Sequence, residues 1–149
     1  MDVVDQLKKG DNLPTLCLLA TTGEEVRLNA WRGLRNLVLF VTHPLECVAC
    51  EELLLELEDN LGRLQGEEAE VVVAVPGRPA EVRQLKQRLE LSFPVFIDTD
   101  SILGNRPILV VTDRFGEIYA IARAGDDHQF PTVEKIVEEL AFIGVQCPE

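Results

Sequence analysis

The chain has 149 residues, 46% of them hydrophobic, and its 26 acidic against 14 basic side chains give a formal net charge of −12. This length fits a single domain over residues 1–149, and the negative charge makes nucleic acid and membrane surfaces poor partners. No apolar run reaches the roughly 18–20 residues of a membrane-spanning helix. The opening ten residues lack the basic-then-apolar order of a secretory signal. We therefore expect a cytoplasmic protein.

The predicted elements begin with two short strands around a turn, at 14–19 and 26–28. A continuous apolar and β-branched run at 36–42 is typical of a strand that is covered on both faces. Leucines at helical spacing then predict one helix from about Cys47 to Leu64. The remaining predicted elements are, in chain order, a strand at 71–75, a helix from Pro79 through Leu89, strands at 93–97, 108–111 and 118–122, and a last helix whose apolar face runs from Val133 to Ile143.

This order is a β-hairpin, then β-α-β-α-β, then an antiparallel β-β pair and a final helix. Helices between buried strands indicate parallel pairing through right-handed crossovers, and the short turn at 113–116 adds an antiparallel pair. The pattern therefore predicts an α/β fold in which a mixed central sheet is flanked by helices, with a β-hairpin at the N-terminal end.

The cysteine pair in Cys47-Val48-Ala49-Cys50 follows the strand at 36–42 and a short turn. A helix that begins at Cys47 presents unpaired N–H groups and the positive end of its dipole there, and both stabilise a thiolate. Cys50 lies one helical turn further on, close enough to form a disulfide. One sulfur can therefore attack a substrate, and the other can resolve the resulting mixed disulfide.

Zinc ligation and inert packing are the alternative interpretations of this pair. Structural zinc usually has four ligands, whereas the only histidines are His43 and His128 and there is no second cysteine pair. A C-x-x-C motif in a βαβ context is instead typical of a redox site, so we expect no metal and no cofactor. Of the other two cysteines, Cys17 lies among leucines and is interpreted as a core residue, whereas Cys147 is expected to be exposed.

Charged neighbours bear on how reactive the pair can be. Glu46, Glu51 and Glu52 surround it, and their negative charge opposes thiolate formation. His43 could assist as a cation or hydrogen-bond donor, or it could simply be exposed in its turn. The sequence leaves both alternatives for His43 open.

Four stretches resemble a known family: residues 10–33, residues 37–40 before the cysteine pair, residues 93–98 and residues 108–118. On them the chain resembles the thioredoxin superfamily and, within it, the peroxiredoxin-like alkyl hydroperoxide reductase/thiol-specific antioxidant group. The resemblance covers nearly the whole chain. It implies a thioredoxin-like fold and substrates that are protein or small-molecule disulfides and thiols, or hydroperoxides.

The resemblance implies two models of the active site. In thioredoxin-type oxidoreductases the first cysteine is the nucleophile, which maps onto Cys47, and Cys50 then resolves. The peroxiredoxin pattern P-x-x-x-T-x-x-C instead places the peroxidatic cysteine on Cys50, with Cys47 at the threonine and His43 at the proline. Because both supporting residues are replaced, dithiol–disulfide exchange is favoured over peroxide reduction.

The resemblance also implies a substrate-binding surface. The cis-proline of thioredoxins maps onto Pro107, with an ordinary trans proline at a strand start as the less favoured alternative, and the family's activating arginine lies near Arg106. We expect His43 and Pro44 to complete this surface.

Three functions follow in order of preference: a thiol–disulfide oxidoreductase, a thiol peroxidase, and a non-catalytic thioredoxin-fold binding module. The oligomeric state is left open, with a homodimer as one option.

Overall fold

The computed structural model describes residues 7–14, 17–27, 33–43, 47–99, 103, 107–123 and 130–145. Within these ranges the chain forms seven strands and four helices. The strands are β1 (Cys17–Ala20), β2 (Glu25–Arg27), β3 (Asn36–Val41), β4 (Ala69–Pro76), β5 (Val95–Asp98), β6 (Ile108–Thr112) and β7 (Ile118–Arg123). The helices are α1 (Val48–Asp59), α2 (Leu61–Gly66), α3 (Pro79–Leu89) and α4 (Val133–Gly144).

The strands form one mixed sheet in the order β2-β1-β5-β4-β3-β6-β7. Strand β4 pairs in parallel with β3 and β5, and the other pairings are antiparallel. The prediction of a mixed sheet with a parallel centre and an antiparallel pair after it is therefore confirmed. The N-terminal hairpin is part of the same sheet, because β1 pairs with β5.

Alternate residues of the central strands belong to two different apolar clusters, since successive side chains of a strand point to opposite faces of the sheet. Val38 and Phe40 of β3 belong to the cluster that contains the buried residues of all four helices. Leu37 and Leu39 belong to the second cluster, which Leu103 joins from outside the sheet. Burial on both faces explains why β3 is a continuous apolar run. None of the helices in the described ranges is long and apolar enough to cross a membrane.

The helix predicted from Cys47 to Leu64 is interrupted at Asn60, so the prediction of one continuous helix is wrong. Asn60 has φ −111° and ψ 15°, outside the helical range, and its side-chain amide donates to the Glu56 carbonyl at 2.8 Å. Asparagine competes for backbone hydrogen bonds in this way, which makes it a poor residue in a helix interior. The chain therefore ends α1 here and resumes as α2.

Cys17 is exposed rather than buried, so its interpretation as a core residue is also wrong. It begins β1, pairs with Arg27, and its sulfur lies 3.9 Å from a carboxylate oxygen of Glu25. The next residue, Leu18, points to the core instead. The strand was predicted at about the right place, but the face that each residue occupies was not. Cys147 lies outside the described residues.

Candidate active site

The cysteine pair lies at the carboxyl ends of the parallel strands. Strand β3 ends at Val41, and Thr42 continues from it, buried and fixed by a hydrogen bond from its backbone N–H to the Ala74 carbonyl at 3.0 Å. The Thr42 hydroxyl donates to the His43 carbonyl at 2.7 Å. The end of the sheet thus fixes the position of His43 before the chain turns back into α1. In open α/β sheets this edge is where ligands bind.

Cys47 is the N-cap of α1, the position predicted for it from the sequence. Its extended backbone, with φ −102° and ψ 109°, lets the sulfur accept from the Cys50 backbone N–H at 3.4 Å. The side chain is only half-buried. Cys47 is therefore partly accessible at a helix end whose N–H groups favour negative charge.

Cys50 lies one turn into α1 and is buried, with only 2% of its surface exposed. Its sulfur accepts from the His43 backbone N–H at 3.5 Å. Burial raises the pKa of the Cys50 thiol to about 12, the His43 hydrogen bond opposes that rise, and the neighbouring Cys47 and Glu51 add to it. Both sulfurs are free thiols, so the structure is that of the reduced pair.

An ion pair between Glu51 and Arg88 changes the acidic surroundings of the two cysteines. Glu51, beside Cys50, receives two hydrogen bonds from the Arg88 guanidinium at 3.1 and 2.9 Å. Arg88 lies in the last turn of α3, and its hydrogen bonds lower the pKa of the Glu51 carboxyl. This pairing has no local signal in the sequence, because 37 residues separate the partners. One of the glutamates expected to oppose a thiolate is therefore partly neutralised, and Glu46 lies outside the described residues.

The register of the sheet places Pro107 beside this site. Val41 of β3 pairs with Ile108 of β6 in antiparallel order, so the residue before Ile108 falls opposite the one after Val41. Pro107 is buried there, next to the segment that carries His43. Pro44 and Arg106 lie outside the described residues, and so does the Arg106–Pro107 peptide bond that would be cis or trans.

His43, Cys47 and Cys50 also form a cluster of possible metal ligands. A nitrogen of the imidazole and the two sulfurs all lie within 4.8 Å of one another. The sequence suggested the cysteine pair and left open whether His43 assists it or is merely exposed; the structure places the imidazole beside both sulfurs. The fold therefore brings one of the four expected substrate-binding residues, His43, next to both sulfurs.

The chain is similar to known proteins in sequence and in fold. A protein of Mycobacterium tuberculosis named as a candidate peroxiredoxin is 28% identical over 118 residues, which are 78% of this chain and 71% of the relative. Two solved structures share the fold. Peroxidoxin BcpB from Mycobacterium tuberculosis has a TM-score of 0.81 at 14% identity, covering 95% of this chain and 100% of that one. A candidate protein disulfide isomerase from Bacteroides thetaiotaomicron has a TM-score of 0.71 at 17% sequence identity, and the match covers 93% of this chain and 91% of that one.

The family assignment comes from the sequence itself. The profile of the AhpC/TSA family matches residues 9–106, about two thirds of the chain, including both cysteines of the pair. The solved structures add the thioredoxin-like fold, in agreement with the resemblance noted from the residues. The chain therefore belongs to the AhpC/TSA family of thiol-based redox enzymes.

Proposed function

We propose that the protein is a thiol–disulfide oxidoreductase in which Cys47 attacks the substrate and Cys50 resolves the mixed disulfide. The observation that carries the proposal is the arrangement of the two thiols. Cys47 is half-exposed at the N-cap of α1, and Cys50 is buried behind it. A substrate therefore meets the partly exposed Cys47 before it meets the buried Cys50, which becomes useful only after the first has reacted.

The assignment of the attacking sulfur rests on access and on charge. Only a thiolate attacks a disulfide, and the N-terminal N–H groups of α1 favour negative charge at Cys47. The raised pKa of Cys50 keeps its sulfur protonated at neutral pH. The peroxiredoxin pattern would make Cys50 the leading sulfur, but burial and protonation argue against that role.

Two displacement steps transfer two electrons to the substrate. The Cys47 thiolate attacks the substrate disulfide, so that a mixed disulfide forms and one substrate thiolate leaves. Cys50 then loses its proton and attacks the Cys47 sulfur; the second substrate thiolate leaves and the Cys47–Cys50 disulfide forms. The contribution of Cys47 to the high pKa of Cys50 disappears once Cys47 is in the mixed disulfide, which favours the second step.

Substrate binding is proposed for the surface around Pro107 and His43, with Pro44 and Arg106 beside them in the sequence. Pro107 has no backbone N–H and lies at the start of β6, next to the end of β3. Recognition of an extended substrate segment at such a strand start would use main-chain hydrogen bonds, as in strand addition. Disulfides in extended protein segments are therefore the proposed substrate class.

A thiol peroxidase is the second candidate, favoured by membership of the AhpC/TSA family. In that reaction the Cys47 thiolate attacks the peroxide, the O–O bond breaks, and a sulfenic acid forms while hydroxide or an alkoxide leaves and takes a proton from solvent to become water or an alcohol. The Cys50 thiol then condenses with the sulfenic acid, releasing water and giving the same disulfide. Both candidates use the same two sulfurs, so the substrate distinguishes them.

The test compares Cys47→Ser and Cys50→Ser in reduction of insulin, with dithiothreitol as electron donor. We expect Cys47→Ser to lose exchange activity, and Cys50→Ser to accumulate mixed disulfides because nothing resolves them. Cys17→Ser, which changes an exposed cysteine on β1, should retain wild-type activity and is the matched control. Activity that survives in Cys47→Ser but not in Cys50→Ser would reverse the two roles.

Stopped-flow mixing of the reduced protein with hydrogen peroxide separates the two candidates. Oxidation of Cys47 no faster than that of a free small thiol supports the oxidoreductase. Oxidation that is orders of magnitude faster would make peroxide the substrate and replace the first candidate with the second.

A further inference from the structure

The cluster of His43, Cys47 and Cys50 combines three donors of the type that binds thiophilic metal ions. Among the residues that the structure describes, no other group of three or more histidine, cysteine or acidic side chains is close enough to share an ion. Its members come from two elements, because His43 follows β3 whereas the cysteines begin α1. Any ion bound there would join the sheet edge to the helix.

The geometry needs only a small contraction to accommodate an ion. Tetrahedral zinc, with bonds of about 2.0–2.3 Å, holds its ligand atoms about 3.6–3.8 Å apart. The three donor atoms here already lie within 4.8 Å of one another. The hydrogen bond from the His43 backbone N–H to the Cys50 sulfur keeps that residue next to the pair. Side-chain rotations can therefore close the remaining distance without a change of fold.

The donor set selects the class of ion. Thiolates favour Zn²⁺ and Cu⁺ over hard cations, and imidazole suits both. Cu⁺ is satisfied by three such ligands, and Zn²⁺ would add water as a fourth. A bound cation deprotonates a coordinating thiol outright, so the protonated state of buried Cys50 is no obstacle. The net charge of −12 also favours a cation.

From this geometry we infer that the reduced chain binds one thiophilic d10 cation, Zn²⁺ or Cu⁺, through the imidazole of His43 and the thiolates of Cys47 and Cys50. Binding releases the two thiol protons and changes no oxidation state. A Cys47–Cys50 disulfide would remove both thiolates, so metal binding and oxidation exclude each other. The bound ion would protect the pair from oxidation and block its exchange chemistry. The site requires reduced thiols alone and does not depend on the proposed turnover.

The experiment titrates the reduced, metal-free protein with Zn²⁺ against a chromophoric chelator, and with Cu⁺ under anaerobic conditions. We expect one ion per chain for at least one of the two metals, and loss of binding after oxidation to the disulfide. Removing even an outer-sphere partner of a metal site typically costs about 10–100-fold in affinity. His43→Ala should therefore weaken binding by at least about tenfold, and Cys47→Ser should weaken it further.

The chain supplies matched controls, because His128 is its only other histidine. His128→Ala and Cys17→Ser should bind the metal as the wild type does. Binding by His43→Ala that is as tight as in the wild type would overturn the inference, since the dithiol alone would then explain it. Failure to bind both metals, or an equal loss in His128→Ala, would overturn it as well. If the protein binds metal but does not reduce insulin, the result supports the metal site and contradicts the proposed oxidoreductase function.

Discussion

At the scale of single residues, burial of the Cys50 thiol makes the stability of the reduced protein depend on pH. Its pKa is about 12 in the folded chain, against an ordinary value of 9.0. The fold therefore favours the neutral thiol. The resulting stabilisation is complete below about pH 9 and is lost as the pH rises from there towards 12, because the unfolded chain ionises first.

The measurement is urea unfolding of the reduced wild type and of Cys50→Ala at pH 8 and pH 10. We expect the free energy of unfolding of the wild type to fall by about 1 kcal/mol more than that of Cys50→Ala over this interval. Cys17→Ala, which changes an exposed thiol, should show the wild-type dependence. Equal losses in the wild type and in Cys50→Ala would contradict the burial of this thiol.

At the scale of elements, the Glu51–Arg88 ion pair joins the first turn of α1 to the last turn of α3 beside the cysteine pair. Arg88→Ala leaves the Glu51 carboxylate without this partner, one residue from Cys50. The added negative charge disfavours a thiolate, so alkylation of Cys47 by a neutral reagent at neutral pH should slow by roughly two- to fivefold. The measurement is the rate of thiol modification in the reduced protein.

Two further variants separate the charge of Glu51 from a loss of structure. The double variant Arg88→Ala with Glu51→Gln should recover the wild-type rate, because the unpaired charge is gone. Arg63→Ala breaks a similar bidentate pair, with Glu134, beyond the far end of α1, about 18 Å along a twelve-residue helix. It should leave the rate unchanged. Slow alkylation in the double variant would mean that Arg88 acts by packing instead.

The elements that the sequence predicted well are those with a strong local pattern. The apolar run of β3 and the proline that opens α3 each mark their element, and both lie close to where they were expected. The break at Asn60 has a local cause, yet the leucine spacing across it obscured the signal. Cys17 was misplaced because a strand only four residues long, all of them apolar, does not reveal which face is buried.

In the site, too, the features with a local sequence pattern were predicted and the others were not. The position of Cys47 at a helix start followed from a strand, a turn and a helical pattern in sequence. His43 lies only four residues before Cys47, and the sequence left its role open. The pairing of Glu51 with Arg88, 37 residues apart, depends instead on how the chain returns to the same edge of the sheet. Contacts between residues this far apart in sequence arise from the tertiary fold, and a single sequence carries no local signal for them.

At the scale of the whole molecule, the net charge of −12 should make cationic small disulfides react faster than anionic ones. Negative potential over the surface concentrates cations and repels anions, an effect that falls steeply with ionic strength. Cys47 is partly exposed, and Glu51 and the exposed Glu52 follow it within five residues on the same helix, so we expect an approaching disulfide to meet this potential. We expect the cationic disulfide cystamine to oxidise the reduced pair about tenfold faster than anionic glutathione disulfide in roughly 0.01 M salt.

Raising the salt concentration tests whether charge is the cause. The Debye length falls from about 30 Å at 0.01 M to about 3 Å at 1 M, so the two rates should converge across that range. Bis(2-hydroxyethyl) disulfide, which is uncharged, should react at a rate that changes little and provides the reference. Equal rates for the cationic and anionic disulfides at low salt would mean that the electrostatic potential around Cys47 is not negative, although the net charge of the molecule is. Local cations such as Arg88 would then set the potential at the sulfur.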